Sequence, residues 1–231
     1  MSFNLKWILG GLSFVIAYAL AYSAMAHGVD DSTQSFLLSN QGTAIIPFLY
    51  IGAKHMVTGY DHLLFLVGVL FFLFRNRDVL IYVSLFTLGH SLTLLLGVWY
   101  EFQVNAYLID AIIGLSIVYK GFDNLGGFKR LLGFQPSTKL AVLIFGLFHG
   151  FGLATKLQEF ELGGEGLFQN LLAFNVGVEL GQFFALAFVL ILLSYWRRYP
   201  SYLNFSTISN TALMSAGFML TLLQLTGYFT S

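Results

Sequence analysis

The stretch that decides the fold is residues 168–195, FQNLLAFNVGVELGQFFALAFVLILLSY, in which Glu179 is the only charged residue. A helix needs about 20 consecutive, mainly apolar residues to cross the hydrocarbon core of a bilayer. This run is longer than that, and comparable apolar runs recur along the 231-residue chain. The sequence therefore predicts an all-α fold, a polytopic bundle of membrane helices.

Composition supports this class and excludes others. Hydrophobic residues make up 57% of the chain, charged residues 10%, and the mean hydropathy is +0.77. The formal net charge is zero, so the basic footprint of a nucleic-acid-binding protein is missing and no nucleic-acid partner is expected. There is no cysteine, which excludes disulfides and thiolate ligands. A metal would have to bind imidazole, carboxylate, carbonyl or water.

Residues 1–26 have the pattern of a cleaved signal peptide. Lys6 provides a positive start, an apolar stretch follows, and residues 24–26, Ala-Met-Ala, form a small-x-small cleavage site. An uncleaved first helix is the alternative, since the apolar stretch is long enough to anchor. Cleavage after Ala26 would make His27 the mature N-terminus. Its α-amino group and imidazole would then form a chelate that captures metal for the membrane site.

We expect three regions: the signal peptide, residues 27–56 and residues 57–231. Residues 27–56 are predicted to form an external arm with a re-entrant or interfacial helix over 43–56. Residues 57–231 are predicted to form a six-helix transmembrane domain. Apolar length and flanking polar residues give its spans as 57–74, 79–98, 105–120, 139–157, 168–195 and 208–228.

Basic residues predict the orientation, because they collect on the cytoplasmic side of a membrane protein. With the mature N-terminus outside, the external side carries only Lys54 and Lys156. The internal loops carry Arg75, Arg77, Lys120, Lys129, Arg130, Lys139, Arg197 and Arg198. Both mature termini are thus expected on the outer, periplasmic side.

Ionisable residues occur at similar depth in several spans. Such groups are costly in a membrane and usually face one another or a pathway. The predicted topology places five of them in the outer half of the membrane: His62, His90, Asp110, His149 and Glu179. We therefore expect one site that opens outward, in which His62, His90, His149 and Glu179 converge.

The run from His55 to His62 has the form His-x5-Asp-His. On a continuous helix, the two histidines share a face but stand about 10 Å apart along the axis. A helix break at Gly59 would bring them closer to one ion. Asp61 would then be a partner that fixes a histidine tautomer.

Two stripes of small residues predict close helix packing. Gly146, Gly150 and Ala154 recur every fourth residue beside His149, and Gly177 and Gly181 form the second stripe. Asn175, Glu179 and Gln182 share a helix face by their spacing, which favours a polar channel lining.

Several strings together resemble the HupE/UreJ family. They are His-x5-Asp-His (55–62), GYDHLLFL (59–66), FTLGHSLTL (86–94), IDAIIGLSIVY (109–119), FGLFHGFGLA (145–154) and FNVGVELGQ (174–182). The resemblance implies a bacterial inner-membrane protein with six mature helices, related to nickel or cobalt permeases. It also implies that His55, Asp61, His62, His149 and Glu179 belong to the transport site. Two positions depart from the family pattern, namely Leu153 in place of a histidine or tyrosine and Asp110 in place of glutamate.

Three functions are compatible with these residues. The first is a permease for a divalent transition metal, with nickel or cobalt favoured and zinc or copper compatible. The second is an intramembrane zinc hydrolase with Glu179 as general base. The third is a metal-binding subunit of a larger membrane complex. The expected partners are the metal ion, the lipid bilayer and either a second copy or a membrane partner, and an enzyme is the less favoured class.

Overall fold

The computed structural model describes residues 42–158 and 166–230. The predicted signal peptide and His27 lie outside this part of the chain. The described part contains helices and no strand, which confirms the all-α class. Its helices are α1 (Ile45–Thr58), α2 (Tyr60–Leu70), α3 (Asn76–Trp99), α4 (Ala106–Asn124), α5 (Gly127–Leu132), α6 (Thr138–Gln158), α7 (Leu167–Trp196), α8 (Ser201–Asn204) and α9 (Ser206–Thr230).

Four helices of the described part are long and apolar enough to cross a membrane. These segments are Arg77–Trp99, Thr138–Thr155, Leu167–Trp196 and Ser206–Thr230. They match the predicted spans 79–98, 139–157, 168–195 and 208–228. The chain is therefore a multi-pass membrane protein.

The other two predicted spans, 57–74 and 105–120, are not confirmed as membrane spans. The chain over 57–74 is not one helix, because α1 ends at Thr58 and α2 has only 11 residues. Such a helix is about 16 Å long, roughly half a hydrocarbon core. Helix α4 begins one residue inside the predicted span 105–120, but it carries three charged residues, Asp110, Lys120 and Asp123, and is not among the four helices that are apolar enough to cross a membrane.

The long helices pack in three close pairs: α1 with α7, α3 with α6, and α4 with α9. Glycines allow this approach. A Cβ on Gly181 would lie 2.6 Å from the Ala53 carbonyl oxygen, and a Cβ on Gly217 would lie 2.8 Å from the Gly114 oxygen. At Gly150 a Cβ would overlap the His90 carbonyl. Both predicted small-residue stripes are therefore confirmed as helix contacts.

Helix α2 ends inside the bundle. The carbonyl groups at this end accept hydrogen bonds from one side chain just after α7 and one in α8. The Arg197 guanidinium donates to the carbonyl oxygens of Leu70 and Phe71, the second at 2.9 Å, and the Tyr202 hydroxyl also donates to Phe71. Arg197 lies 4.6 Å above the Phe74 ring. A short buried helix needs such partners, because the last four carbonyls of any helix lack bonds within it.

Candidate metal centre

The candidate site is built around a break between α1 and α2. Gly59 has φ −70° and ψ 98°, so the backbone leaves the helical path for one residue. The break brings the rings of His55 and His62 to a centroid separation of 5.1 Å. A Cβ on Gly59 would lie 2.6 Å from Nδ1 of His62, so the close approach also needs a residue without a side chain. The structure thus contains the helix break at Gly59 that would bring the two histidines closer to one ion.

Asp61 fixes the orientation of His62. Its Oδ1 lies 2.8 Å from the ring Nδ1 and accepts a second bond from the His62 backbone N–H, also at 2.8 Å. An ionised carboxylate only accepts hydrogen bonds, so Nδ1 carries the proton and Nε2 has the lone pair. Nε2 is buried and has no hydrogen-bond partner within 42–158 and 166–230. This is the arrangement in which a carboxylate orients a metal-binding histidine.

His149 approaches His62 from α6. The two ring centroids are 4.8 Å apart, and the His149 side chain is buried. Its Nδ1 lies 2.7 Å from the Phe145 carbonyl oxygen, one helical turn earlier. A carbonyl can only accept, so this bond assigns the proton to Nδ1 and makes Nε2 the nitrogen with which His149 would bind a metal.

Asp61, His62 and His149 together could hold one ion. One coordinating atom from each lies within 4.8 Å of the others. Bonds of about 2.0–2.2 Å to a shared metal allow ligand atoms to be at most about 4.4 Å apart, so small side-chain rotations are enough to close the set. Asp61 can serve in two ways, either as a ligand itself or as the group that orients His62.

His90 is not a member of the group formed by Asp61, His62 and His149. Its ring is 1% exposed and stacks on Phe86 with centroids 6.2 Å apart, and Phe86 in turn contacts His149 at 5.0 Å. Neither ring nitrogen of His90 has a hydrogen-bond partner among the described residues. His90 therefore faces protein, as expected, and the Phe86 ring contacts both His90 and His149.

Glu179 does not converge with the histidines. It lies on the exposed surface of α7, whereas Gln182 of the same helix is buried and accepts a hydrogen bond of 2.8 Å from Thr87. Three residues correspond to about 300° of rotation, so Glu179 and Gln182 point about 60° apart. This angle is enough to place one on the surface and the other in the bundle.

Asp110 is half-buried on α4 and faces α6. A Cβ built on Gly152 would lie 3.7 Å from its Oδ1. It is not one of the three groups that lie close enough to share an ion. Its expected role in charge balance stays a prediction.

Sequence reasoning did not single out every residue near the site. A small cavity of about 20 Å³ adjoins His62 and is lined by Met56, Tyr82 and Gln182 among others. This volume holds roughly one water molecule. Gln182 could be found from its place on the polar face of 168–195. Met56 and Tyr82 carry no pattern that separates them from ordinary packing residues.

The chain matches a known protein family. A family model described as HupE / UreJ protein matches residues 31–231. Comparisons with curated proteins and with solved structures gave no match. The match covers most of the chain and includes every helix of the bundle, so the protein belongs to the HupE/UreJ family.

Proposed function

We propose that this protein is a permease for a divalent transition metal, with nickel or cobalt as the favoured cargo. The observation that carries the proposal is the close grouping of Asp61, His62 and His149 inside an apolar bundle. Two imidazoles and a carboxylate are costly to bury among phenylalanine rings. A bound cation would compensate that cost, and borderline-soft metals prefer imidazole nitrogen.

The discontinuous pair α1 and α2 supports transport over static binding. Transporters commonly place their ion sites where membrane helices are interrupted, because the interruption exposes polar groups and permits movement. Here the interruption at Gly59 adjoins His62. The membership in HupE/UreJ, a family generally linked to nickel and cobalt transport, points the same way.

A hydrolase is less well supported. The general base expected for it, Glu179, lies on the exposed surface of α7, away from the three grouped side chains. We further propose that the protein lies in the bacterial inner membrane with its basic loops in the cytoplasm. In that orientation the His62 end of α2 faces outward, and we propose uptake as the direction of transport.

Uptake of radioactive Ni²⁺ tests the proposal. Cells that lack their own high-affinity nickel uptake would express the protein or its His149→Ala variant, at matched levels in the membrane. Expression of the unchanged protein should raise cell-associated nickel, and His149→Ala should return it to background. His90→Phe is the matched control, because it removes a buried imidazole but leaves all three grouped side chains intact.

A flux assay with purified protein in lipid vesicles distinguishes a permease from a subunit of a larger complex. A permease moves Ni²⁺ into vesicles that contain no other protein. Competition by Co²⁺, Zn²⁺ and Cu²⁺ then ranks the cargo. Binding of Ni²⁺ without movement across the bilayer would contradict the proposal.

A further inference from the structure

A second polar cavity lies between the ends of α4 and α6, outside the histidine group. Lys120 and Asp123 form an ion pair there, with Nζ and Oδ2 2.6 Å apart and side chains only 9% and 2% exposed. The other carboxylate oxygen of Asp123 accepts a hydrogen bond of 2.7 Å from Gln135, and the Thr138 hydroxyl lies 3.4 Å from Oδ2. None of these groups belongs to the set of Asp61, His62 and His149 that could hold the metal.

This cavity is large compared with the one at His62. Its volume is about 270 Å³, against about 20 Å³ beside the histidine. A water molecule occupies roughly 30 Å³ in the liquid, so the larger cavity accepts an ion with most of its hydration shell. The smaller cavity does not. A cation that passes from one to the other would therefore regain water.

Val69 and Tyr82 line both cavities. They form the wall that the two spaces share. The larger cavity lies close to the histidine group. Thr138, which lines this cavity, precedes His149 by eleven residues on α6, and this separation is about 16 Å along the helix axis. The two cavities thus lie in sequence along the bundle, and one valine and one tyrosine separate them.

The cost of the ion pair argues that the cavity has a function. Buried ion pairs seldom stabilise a protein more than apolar residues of the same volume would. In membrane helices, charged groups commonly mark the pathway of an ion. An ion pair that only stabilised the last turns of α4 would not require 270 Å³ of polar space beside it.

We infer that this cavity is the vestibule in which the cargo cation is rehydrated after it leaves the histidine group, with Asp123 as the carboxylate that receives it. The inference rests on the proposed permease function. The ligand is a hydrated divalent cation held through water to Asp123. Lys120 neutralises Asp123 when no cation is present and competes with the cation, which keeps the binding weak and the exit fast.

Thiol modification tests the vestibule, because the chain contains no cysteine of its own. Phe72 and Phe134 are both exposed, at 37% and 61%, but Phe72 lines the cavity and Phe134 does not. Phe72→Cys and Phe134→Cys therefore form a matched pair. Each variant, reconstituted in lipid vesicles, is compared before and after reaction with a positively charged methanethiosulfonate reagent. Ni²⁺ flux and Ni²⁺ bound at equilibrium are both measured.

We expect modified Phe72→Cys to lose about tenfold in Ni²⁺ flux, since a fixed positive charge in a narrow cavity lowers the local cation concentration by at least that factor. Ni²⁺ binding to the histidine group should not change. Modified Phe134→Cys should transport as it did before the reaction. Asp123→Asn should also lower flux by about tenfold without loss of the bound Ni²⁺.

The outcomes distinguish this inference from the proposed function. Unchanged flux in modified Phe72→Cys, or failure of that cysteine to react, refutes the vestibule alone. Equal loss in both modified variants also refutes it, because the effect would then not depend on the cavity. Absence of Ni²⁺ flux in the unmodified protein refutes the permease function, and the vestibule with it.

Discussion

Removal of the Asp61 carboxylate should weaken metal binding by an amount that reveals its role. Asp61 Oδ1 lies 2.8 Å from Nδ1 of His62, and the two side chains are 13% and 4% exposed. The bond is therefore short and largely shielded from water. It holds the proton on Nδ1 and makes Nε2 the coordinating nitrogen.

The expected size follows from that bond. A hydrogen bond to a charged group contributes about 1.5–3 kcal/mol. At about 1.4 kcal/mol per factor of ten, its loss lowers Ni²⁺ affinity by about 10–100-fold. Asp61→Ala removes the acceptor entirely and should lie near 100-fold. Asp61→Asn retains an amide oxygen that can still accept from Nδ1, so about tenfold is expected, the lower end of the range for such orienting partners.

Calorimetric titration of the purified full-length protein with Ni²⁺ measures both variants. Asp78→Asn is the matched control, because Asp78 occupies the first turn of α3 as Asp61 occupies the first turn of α2. It should bind Ni²⁺ like the unchanged protein. If Asp61 is a direct ligand instead, Asn and Ala should be equally damaging.

Affinities within twofold of the unchanged protein for both Asp61 variants would refute this reasoning. The carboxylate would then be neither ligand nor orienting group, and the 2.8 Å contact would have no bearing on the metal. Thermal unfolding of each variant should be recorded as well, so that a loss of affinity is not confused with a loss of fold.

Four further predictions follow from the same geometry. Gly59→Ala should abolish Ni²⁺ binding in calorimetry, because its Cβ would lie 2.6 Å from Nδ1 of His62; binding at the usual affinity would show that the helix break can shift without cost. Gly150→Ala should lower stability by about 1–3 kcal/mol through overpacking against α3, and an unchanged melting temperature relative to the surface variant Ile144→Ala would contradict it. His149→Ala should reduce Ni²⁺ uptake far more than His90→Phe does, since His90 is not one of the three side chains that lie close enough to share an ion; equal losses would make His90 a ligand. Ni²⁺ affinity should fall by at least about tenfold from pH 8 to pH 5, because protons compete for imidazole nitrogen, and a flat profile would indicate that carboxylates dominate binding.

The membrane helices could be predicted closely wherever a long apolar run stands alone. Residues 168–195 correspond to Leu167–Trp196 and 208–228 to Ser206–Thr230. The region around Gly59 could not be predicted in the same way. Apolar residues continue on both sides of it, so composition does not show that one helix ends at Thr58 and another begins at Tyr60.

The depth of the site residues in the membrane could be predicted from the sequence, but the direction in which each side chain points could not. Depth along a span follows from counting residues, and it correctly brought His62 and His149 to one level. Whether a side chain faces the neighbour or the lipid depends on how each helix is rotated. That rotation is set by glycine contacts such as Gly181 against Ala53, which place Glu179 on the surface and leave Gln182 inside. The sequence does not state which carbonyl each glycine meets.

The positions of the three grouped side chains in the bundle have a consequence for how the protein would respond to its cargo. His149 belongs to the pair of α3 and α6, whereas Asp61 and His62 belong to the short α2, which packs mainly against α4. An ion held by these three residues would join α2 to the pair of α3 and α6, whose backbones are in close contact. Binding and assembly then share one equilibrium. Metal depletion should therefore loosen the contact between α2 and this pair while the pair itself persists, as a local opening within an otherwise intact bundle.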